Sequence, residues 1–368
     1  MKKRIVFITL NLEGGGAEKI LSRLIINLHN EFEIVLITFY RRGRYLEELL
    51  LIPGLEYHCI NAERGNTLSF AIRLRRIIKK VSPTKILSFL YYPNIVTYLS
   101  QIGLNTPLIL SERSNHHLYL TSSFKHKVWK WFLRKAYRKA ISIITVSNES
   151  KAAIISDFRV PGEKIHTIYN GLSFPLLDQM KDEPVTDFEF RKDIHYVIAM
   201  GSLTKAKNYP LLIKSFSILN SKYKNTRLII LGKGGMENEI NELVTKLNLR
   251  EVIHLTGYRN NPYKYLKYAS CYVLSSSWEG FPNSLLEAMY INGHVVSTNC
   301  PTGPSEVIQN NVDGILCEMN NPEELAGAIG KMCFDENFRK YVFENSRKKI
   351  AKFDERTMIL EYKKLLME

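Results

Sequence analysis

Short runs in which nearly every position is apolar alternate along the chain with longer stretches in which apolar residues recur every three or four positions. In the first half the short runs are IVFITL (5–10), EIVLITF (33–39), KILSFL (85–90), PLILS (107–111) and SIITVS (142–147), with helical spacing between them in segments such as 17–29 and 68–80. Strands apolar on both faces and separated by helices predict a parallel sheet covered on two sides. After Asn170-Gly171 the periodicity lapses through the polar stretch 173–193. It then restarts with HYVIAMG (195–201), RLIILG (227–232), VIHLTG (252–257), CYVLSS (271–276) and HVVST (294–298). The predicted fold class is α/β, two Rossmann-like domains whose parallel sheets face one another across a cleft. The expected boundaries are 1–172 for the first domain, 173–193 for a linker and 194–353 for the second. A last helix within 354–368 is expected to cross back to the first domain.

The chain has 368 residues, 45% hydrophobic and 24% charged, which suits two folded domains and argues against a disordered or fibrous chain. Five scattered cysteines form no CxxC or Cys/His cluster, so neither a disulfide framework nor a structural zinc site is expected. The basic opening MKKR precedes only a short apolar run and reads as a first strand, not a signal peptide. The uncharged stretch 86–111 is broken by Pro93, Asn94, Gln101, Asn105 and Pro107, so no membrane-spanning helix is expected. A cytoplasmic protein is the expectation.

Charge changes the picture. Residues 1–175 hold 26 Lys and Arg against 12 Asp and Glu, nearly all of the net surplus of 15. Such a half either serves solubility or faces something anionic, whether a membrane, a lipid diphosphate or a nucleic acid. The segment 125–140 concentrates the effect, with seven basic residues and no acidic one. Trp129, Phe132, Leu133, Ala136, Tyr137 and Ala140 form one apolar stripe that packs on the sheet. Lys127, Lys130 and Arg134 lie elsewhere and either meet solvent or rest on anionic headgroups, with Trp131 placed to enter the interface. No nucleic-acid-reading module is evident, so nucleic acid is not an expected partner.

In α/β sheets of this kind ligands gather at the carboxyl ends of the strands. After the first strand, Gly14, Gly15 and Gly16 precede a helix whose N-terminus suits a phosphate, although an ordinary tight turn has the same composition. After the first strand of the second domain come Lys205 and Lys207. If Asn208 opens the next helix, Lys207 stands at a helix start, where a cation is disfavoured unless an anion binds or solvent screens it. SERSNHHLY places Arg113, His116 and His117 after a strand, as ligand contacts or as surface residues. Adjacent histidines diverge and the chain contains no DxD, so no metal is expected.

The stretch SWEGFPNSLLEAM holds Glu279 and Glu287. With Pro282 as the first helical residue, Glu279 lies in the preceding loop and Glu287 inside the helix. Even in one ideal helix eight positions span roughly 12 Å along the axis, beyond the ~5–9.5 Å of a glycosidase acid/base pair. The remaining arrangement is a helix start with amides at Asn283, Ser284 and Leu285 between two carboxylates, suited to a diphosphate flanked by hydroxyl-bearing sugars.

These residues carry a resemblance. Two glutamates separated by seven residues, with GGGAEK, ITVS, IYNG, KN, LGKG, LTGYRNN and CPTGPSEVI in order along nearly the whole chain, are similar to the retaining glycosyltransferases of family 4, which have the GT-B fold. The resemblance implies a nucleotide-sugar donor, UDP-linked by expectation, and transfer of a hexose or N-acetylhexosamine to a lipid-linked or polysaccharide acceptor. It assigns Glu279 to the donor sugar and its developing positive charge, Glu287 to the ribose, and Gly280 to Leu285, including Phe281, Pro282 and Asn283, to the diphosphate. Gly15 and Gly16 join the donor site. His117 faces the sugar, and Arg113 and His116 the acceptor. The family's usual phosphate-site Arg is replaced by Ser202, leaving Lys207 as the direct match and Lys205 as a point-charge substitute. The implied chemistry is front-face, the acceptor attacking on the side from which the diphosphate leaves, with no cofactor and no metal required. The expected location is peripheral, at the inner face of the plasma membrane. A sugar-nucleotide isomerase of the non-hydrolysing 2-epimerase type is the alternative on the same architecture, but the acid/base pair it needs is not evident.

Overall fold

The computed structural model describes residues 2–113 and 124–368. The chain divides into two compact units, residues 1–171 with 356–368 and residues 172–355. The first unit contains β1 (Arg4–Thr9), α1 (Gly16–Leu28), β2 (Glu33–Thr38), α2 (Arg44–Leu50), β3 (Glu56–Cys59), α3 (Thr67–Val81), β4 (Lys85–Phe89), α4 (Tyr91–Ser100), β5 (Leu108–Ser111), α5 (Phe124–Lys139), β6 (Ser142–Thr145), α6 (Asn148–Phe158) and β7 (Ile165–Thr167). Its seven strands run in the order β3-β2-β1-β4-β5-β6-β7, every pairing parallel.

The second unit contains α7 (Phe174–Lys181), β8 (His195–Met200), α8 (Tyr209–Lys222), β9 (Thr226–Leu231), α9 (Glu237–Lys246), β10 (Ile253–Gly257), α10 (Tyr263–Leu266), β11 (Ala269–Leu274), α11 (Asn283–Ile291), β12 (Val295–Thr298), α12 (Pro304–Val307), β13 (Ile315–Cys317), α13 (Pro322–Phe334) and α14 (Glu336–Ile350). Its sheet is also parallel, in the order β10-β9-β8-β11-β12-β13. The last helix, α15 (Glu355–Met367), returns to the first unit, where Met358, Tyr362, Leu365 and Leu366 join the core beneath β1, β4 and β5.

Both sheets exist because their central strands bury nearly every side chain. Ile5 to Ile8 on β1 and Val197 to Ile198 on β8 are fully enclosed, one face of each strand packing on each helical layer. The edge strands β3, β7 and β13 were not among the predicted runs. β3 and β7 are four and three residues long and only partly buried, so they lack a continuous apolar signature, and β13 is apolar but only three residues long.

The stretch 173–193, expected as a linker, belongs to the second unit instead. Phe174 of α7 stacks on Tyr290 at 4.4 Å, and Asn261 donates to the Met180 carbonyl at 2.7 Å. Further on, Phe188 and Phe190 pack edge-on against Tyr196. The few apolar residues are too irregularly spaced to announce a helix, yet Phe174, Phe188 and Phe190 each have an aromatic partner in the second unit. No helix among the described residues is long and apolar enough to cross a membrane.

Candidate active site

From β8 the chain of the second unit winds to β9 and β10 on one side, and from β11 to β12 and β13 on the other. The neighbours β8 and β11 therefore send their following loops in opposite directions, which opens a crevice at their carboxyl ends. Those loops are stitched together. The Ser277 amide donates to the Ala206 carbonyl at 2.7 Å, and Ser275 Oγ donates to the Lys207 carbonyl at 2.8 Å. Gly201 adopts φ 149°, and a Cβ on Gly232 would stand 1.9 Å from the Gly201 carbonyl oxygen, so the two strand ends approach as they do only because residue 232 has no side chain. Lys205 to Lys207 form a 3₁₀ turn ending at Asn208, whose left-handed φ 45° and ψ 48° an asparagine tolerates, and Tyr209 then opens α8.

This turn brings Lys207 to Glu279. Lys207 Nζ lies 2.6 Å from Glu279 Oε1, and Ser276 Oγ donates to the same oxygen at 2.5 Å. The two charged side chains are 18% and 10% exposed, so the pair is largely withdrawn from water. Lys205 is exposed. Behind the glutamate, the buried Thr302 adopts φ 64°, uncommon for a β-branched residue, with its hydroxyl against the Glu279 carbonyl. Gly303, at φ 112°, would place a Cβ 2.4 Å from Pro282 Cδ, so the CPTGP loop packs tightly against the turn that carries Glu279. The carboxylate is felt nearby. The Cys300 thiol is pushed up to about 12, chiefly by burial and then by the Glu279 charge. Burial, followed by the same charge, raises the Tyr209 hydroxyl.

The helix α11 begins at Asn283, with Pro282 as its cap instead of its first residue. The Asn283 amide donates to the Phe281 carbonyl and the Leu285 amide to the Pro282 carbonyl, both at 3.0 Å. Two of the three amides expected to be open thus take local bonds, because the turn around Pro282 is tight enough to bring carbonyls beneath them. Ser284 Oγ accepts from Tyr272 at 2.8 Å. Glu287 lies inside α11, is 7% exposed, and accepts from the Tyr263 hydroxyl of α10 at 3.0 Å. The two glutamates therefore sit in different settings, Glu279 against an ammonium and Glu287 against a phenol.

In the first unit the expected contacts fare differently. Gly15 caps α1, and a Cβ there would stand 2.2 Å from Glu18 Oε2, so the chain's own carboxylate already lies over the helix start where a phosphate was expected at Gly15 and Gly16. Burial raises the Glu18 carboxyl, opposed by bonds from the Glu18 and Gly15 amides. Arg113, expected on the acceptor side, is buried instead. Its guanidinium donates to Tyr362 at 3.0 Å and to Asn170, and it stands over the Phe89 ring. Its position immediately after a buried strand, with a tyrosine of α15 in reach, draws it inward. His116 and His117 lie outside the described residues.

On α5 the apolar stripe packs as predicted, with Leu133, Ala136, Tyr137 and Ala140 buried. Of the residues expected to face a membrane, Lys127 and Trp131 are exposed. Lys130 is instead paired with Asp157 of α6 at 3.1 Å, and Arg134 is half-buried, because both sit at the flank of the buried stripe.

Sequence reasoning missed Ser276, Tyr263 and Thr302. Ser276 had a signal in its place three residues before Glu279. Thr302 lay in a quoted motif with no assigned task, and Tyr263 offered nothing, since its partner is 24 positions away.

Comparison with known proteins gives the same division. Residues 14–173 match Glycosyltransferase Family 4, and residues 181–349 match the Glycosyl transferases group 1 family. The chain is 32% identical over 304 residues to an uncharacterised glycosyltransferase of Methanocaldococcus jannaschii, covering 74% of each. It is 28% identical over 363 residues to the N-acetylgalactosamine-N,N'-diacetylbacillosaminyl-diphospho-undecaprenol 4-alpha-N-acetylgalactosaminyltransferase of Campylobacter jejuni, covering 96% of this chain and 95% of that one. The crystal structure of Anabaena HepE in complex with UDP and glucose superimposes with a TM-score of 0.84 over all of both chains at 18% identity. The protein belongs to the group 1 and family 4 glycosyltransferases and is built on their two-domain GT-B fold.

Proposed function

We propose that this glycosyltransferase moves a hexose or N-acetylhexosamine from a UDP-linked donor to a lipid-linked or polysaccharide acceptor, with retention of anomeric configuration. The observation that carries the reading is the Lys207–Glu279 contact, an ammonium and a carboxylate fixed together at the carboxyl ends of the neighbouring strands β8 and β11. In a site this withdrawn from water, each charge acts more strongly on a substrate than it does in solution. Glu279 stabilises the positive charge that grows at the anomeric carbon as the bond to the diphosphate stretches. Lys207, with the exposed Lys205 standing in for the absent arginine at Ser202, neutralises the departing diphosphate beside the α11 start. Glu287, steadied by Tyr263, holds the ribose hydroxyls. The acceptor hydroxyl attacks on the face the diphosphate leaves, and a phosphate oxygen takes its proton, so no side-chain base or metal is needed.

The acceptor class is supported by the Campylobacter relative, whose name specifies an undecaprenyl diphosphate substrate. The isomerase alternative is not favoured, since the named relatives are transferases. A panel of UDP-, GDP- and ADP-sugars scored by thermal shift and nucleotide release tests the donor. UDP-N-acetylhexosamine or UDP-galactose should raise the melting temperature most, and the product should keep the donor's anomeric configuration. An inverted product or accumulation of an isomeric sugar nucleotide without acceptor overturns the reading.

A further inference from the structure

The helices α3, α4 and α5 form one layer. On β5, Leu108 packs with Phe70, Ala71, Leu74 and Ile78 of α3, whereas Leu110 packs with Leu133, Ala136 and Tyr137 of α5. Residues two apart on a strand share a face, so α3 and α5 cover the same side of the sheet. Between them α4 contributes Val96 to the first cluster and Ile95 to the second. Arg75 from α3 donates to the Ser100 and Ile102 carbonyls, and Lys139 from α5 donates to those of Gln101 and Leu104, so a cation from each flank clamps the end of α4.

The outward face of this layer is unusual in two respects. None of the three helices contains an acidic residue, while α3 has five Lys and Arg and α5 has seven. On α3, Leu68, Ile72, Arg76 and Lys79 follow helical spacing opposite the buried stripe, and Leu68 and Ile72 are 64% and 45% exposed. On α5, Trp131 is 54% and Val128 40% exposed, flanked by exposed Lys127 and Lys135, with Lys135 Nζ 5.5 Å from the centre of the Trp131 ring. A solvated basic face needs no exposed leucine, isoleucine or tryptophan among its cations. Large apolar side chains projecting from helices that carry cations and no acidic residue match a bilayer interface, where the apolar groups enter the headgroup boundary and the cations meet anionic lipid.

We propose that the outward faces of α3 and α5 together form a seat for an anionic lipid bilayer. The seat includes α3, a helix given no lipid-facing role from its sequence, and leaves out Lys130, which Asp157 already holds. The proposal does not depend on the sugar-transfer reading, because binding is measured without donor or acceptor.

The test is co-sedimentation of the full chain with phosphatidylcholine vesicles, with and without phosphatidylglycerol, against duplex DNA as a competing polyanion. Lys80 of α3 and Arg138 of α5 are exposed like the cations already named, so two triple reversals are compared, Arg76→Glu/Lys79→Glu/Lys80→Glu on α3 and Lys127→Glu/Lys135→Glu/Arg138→Glu on α5, together with Trp131→Ser. The wild type should bind only the anionic vesicles, and each triple reversal should bind them on the order of a hundredfold more weakly. Trp131→Ser should weaken binding by a smaller factor. Melting temperature and donor hydrolysis should stay unchanged, which separates lost docking from lost folding. Wild-type vesicle binding by the α3 reversal overturns the two-helix seat. Equal binding to uncharged vesicles, or release of the protein from vesicles by DNA at matched charge, overturns the lipid assignment.

Discussion

Lys207 Nζ and Ser276 Oγ converge on one oxygen of Glu279, at 2.6 and 2.5 Å. A carboxylate this enclosed depends on its cation. Removing one partner of a buried pair costs more than the pair contributes, because the other charge is left uncompensated. Lys207→Met should therefore lower stability by about 3 kcal/mol, and adding Glu279→Gln should restore most of it. Urea unfolding of the two single variants and the double variant checks this, and additive losses contradict it.

The two glutamates should separate in kinetics. Glu279→Gln keeps the shape of the side chain and its contact with Ser276 but loses the charge, so transfer should fall by about a hundredfold or more while UDP affinity stays within a few-fold. On the proposed ribose contact, Glu287→Ala should weaken UDP binding by about ten- to a hundredfold. Calorimetric UDP titration beside initial rates distinguishes them. Near-normal turnover by Glu279→Gln would remove Glu279 from the chemistry.

If Tyr263 steadies Glu287, Tyr263→Phe should raise the UDP dissociation constant by about fivefold with little change in the rate at saturating donor, since one hydrogen bond to a charged group is lost and no reacting group moves. A fall in the saturated rate with unchanged UDP affinity contradicts the assignment.

The central strands of both sheets, the returning last helix and the loop-then-helix placement of Glu279 and Glu287 were legible in the sequence, because each depends on a local run or on spacing along one element. What was not legible depends on pairs far apart in the chain. Nothing near Arg113 announces Tyr362, 249 positions later, and nothing near Lys207 announces Glu279, 72 positions later. Spacing placed Lys207 at a helix start, to be offset by a bound anion or by solvent. The anion in contact is a carboxylate of the same domain.

Arg113 ties the returning helix α15 to the first sheet through Tyr362 and Asn170. Burial lowers its guanidinium from the ordinary arginine value, with the Tyr362 hydroxyl that it bonds and the Glu112 carboxylate opposing that shift. Arg113→Met should leave both partners short of a donor and destabilise the first unit by roughly 2–4 kcal/mol. Hydrogen exchange should quicken in α15 first, and UDP affinity should stay near wild type. Loss of transfer without loss of protection in α15 would return Arg113 to the acceptor side.

His294 gives the stability a defined acid limb. Burial lowers its imidazole to about 4, helped by the Arg339 charge from α14, against an ordinary value near 6.5. Between those values the unfolded chain binds a proton that the folded chain does not, so stability rises with pH across this window. The contribution is complete above about pH 6.5, falls away as pH drops toward 4 and is level below that. His166, His195 and His254 are lowered by burial in the same direction and add slope of the same sign. His294→Gln keeps a neutral polar side chain beside Asn292 and removes one titrating group. The stability of wild type relative to this variant should therefore decline by about 2 kcal/mol between pH 7 and pH 4, allowing for partial solvent screening. Urea melts of both proteins at several pH values give that difference directly, and a constant difference across the window would show that His294 is not excluded from protonation by the fold.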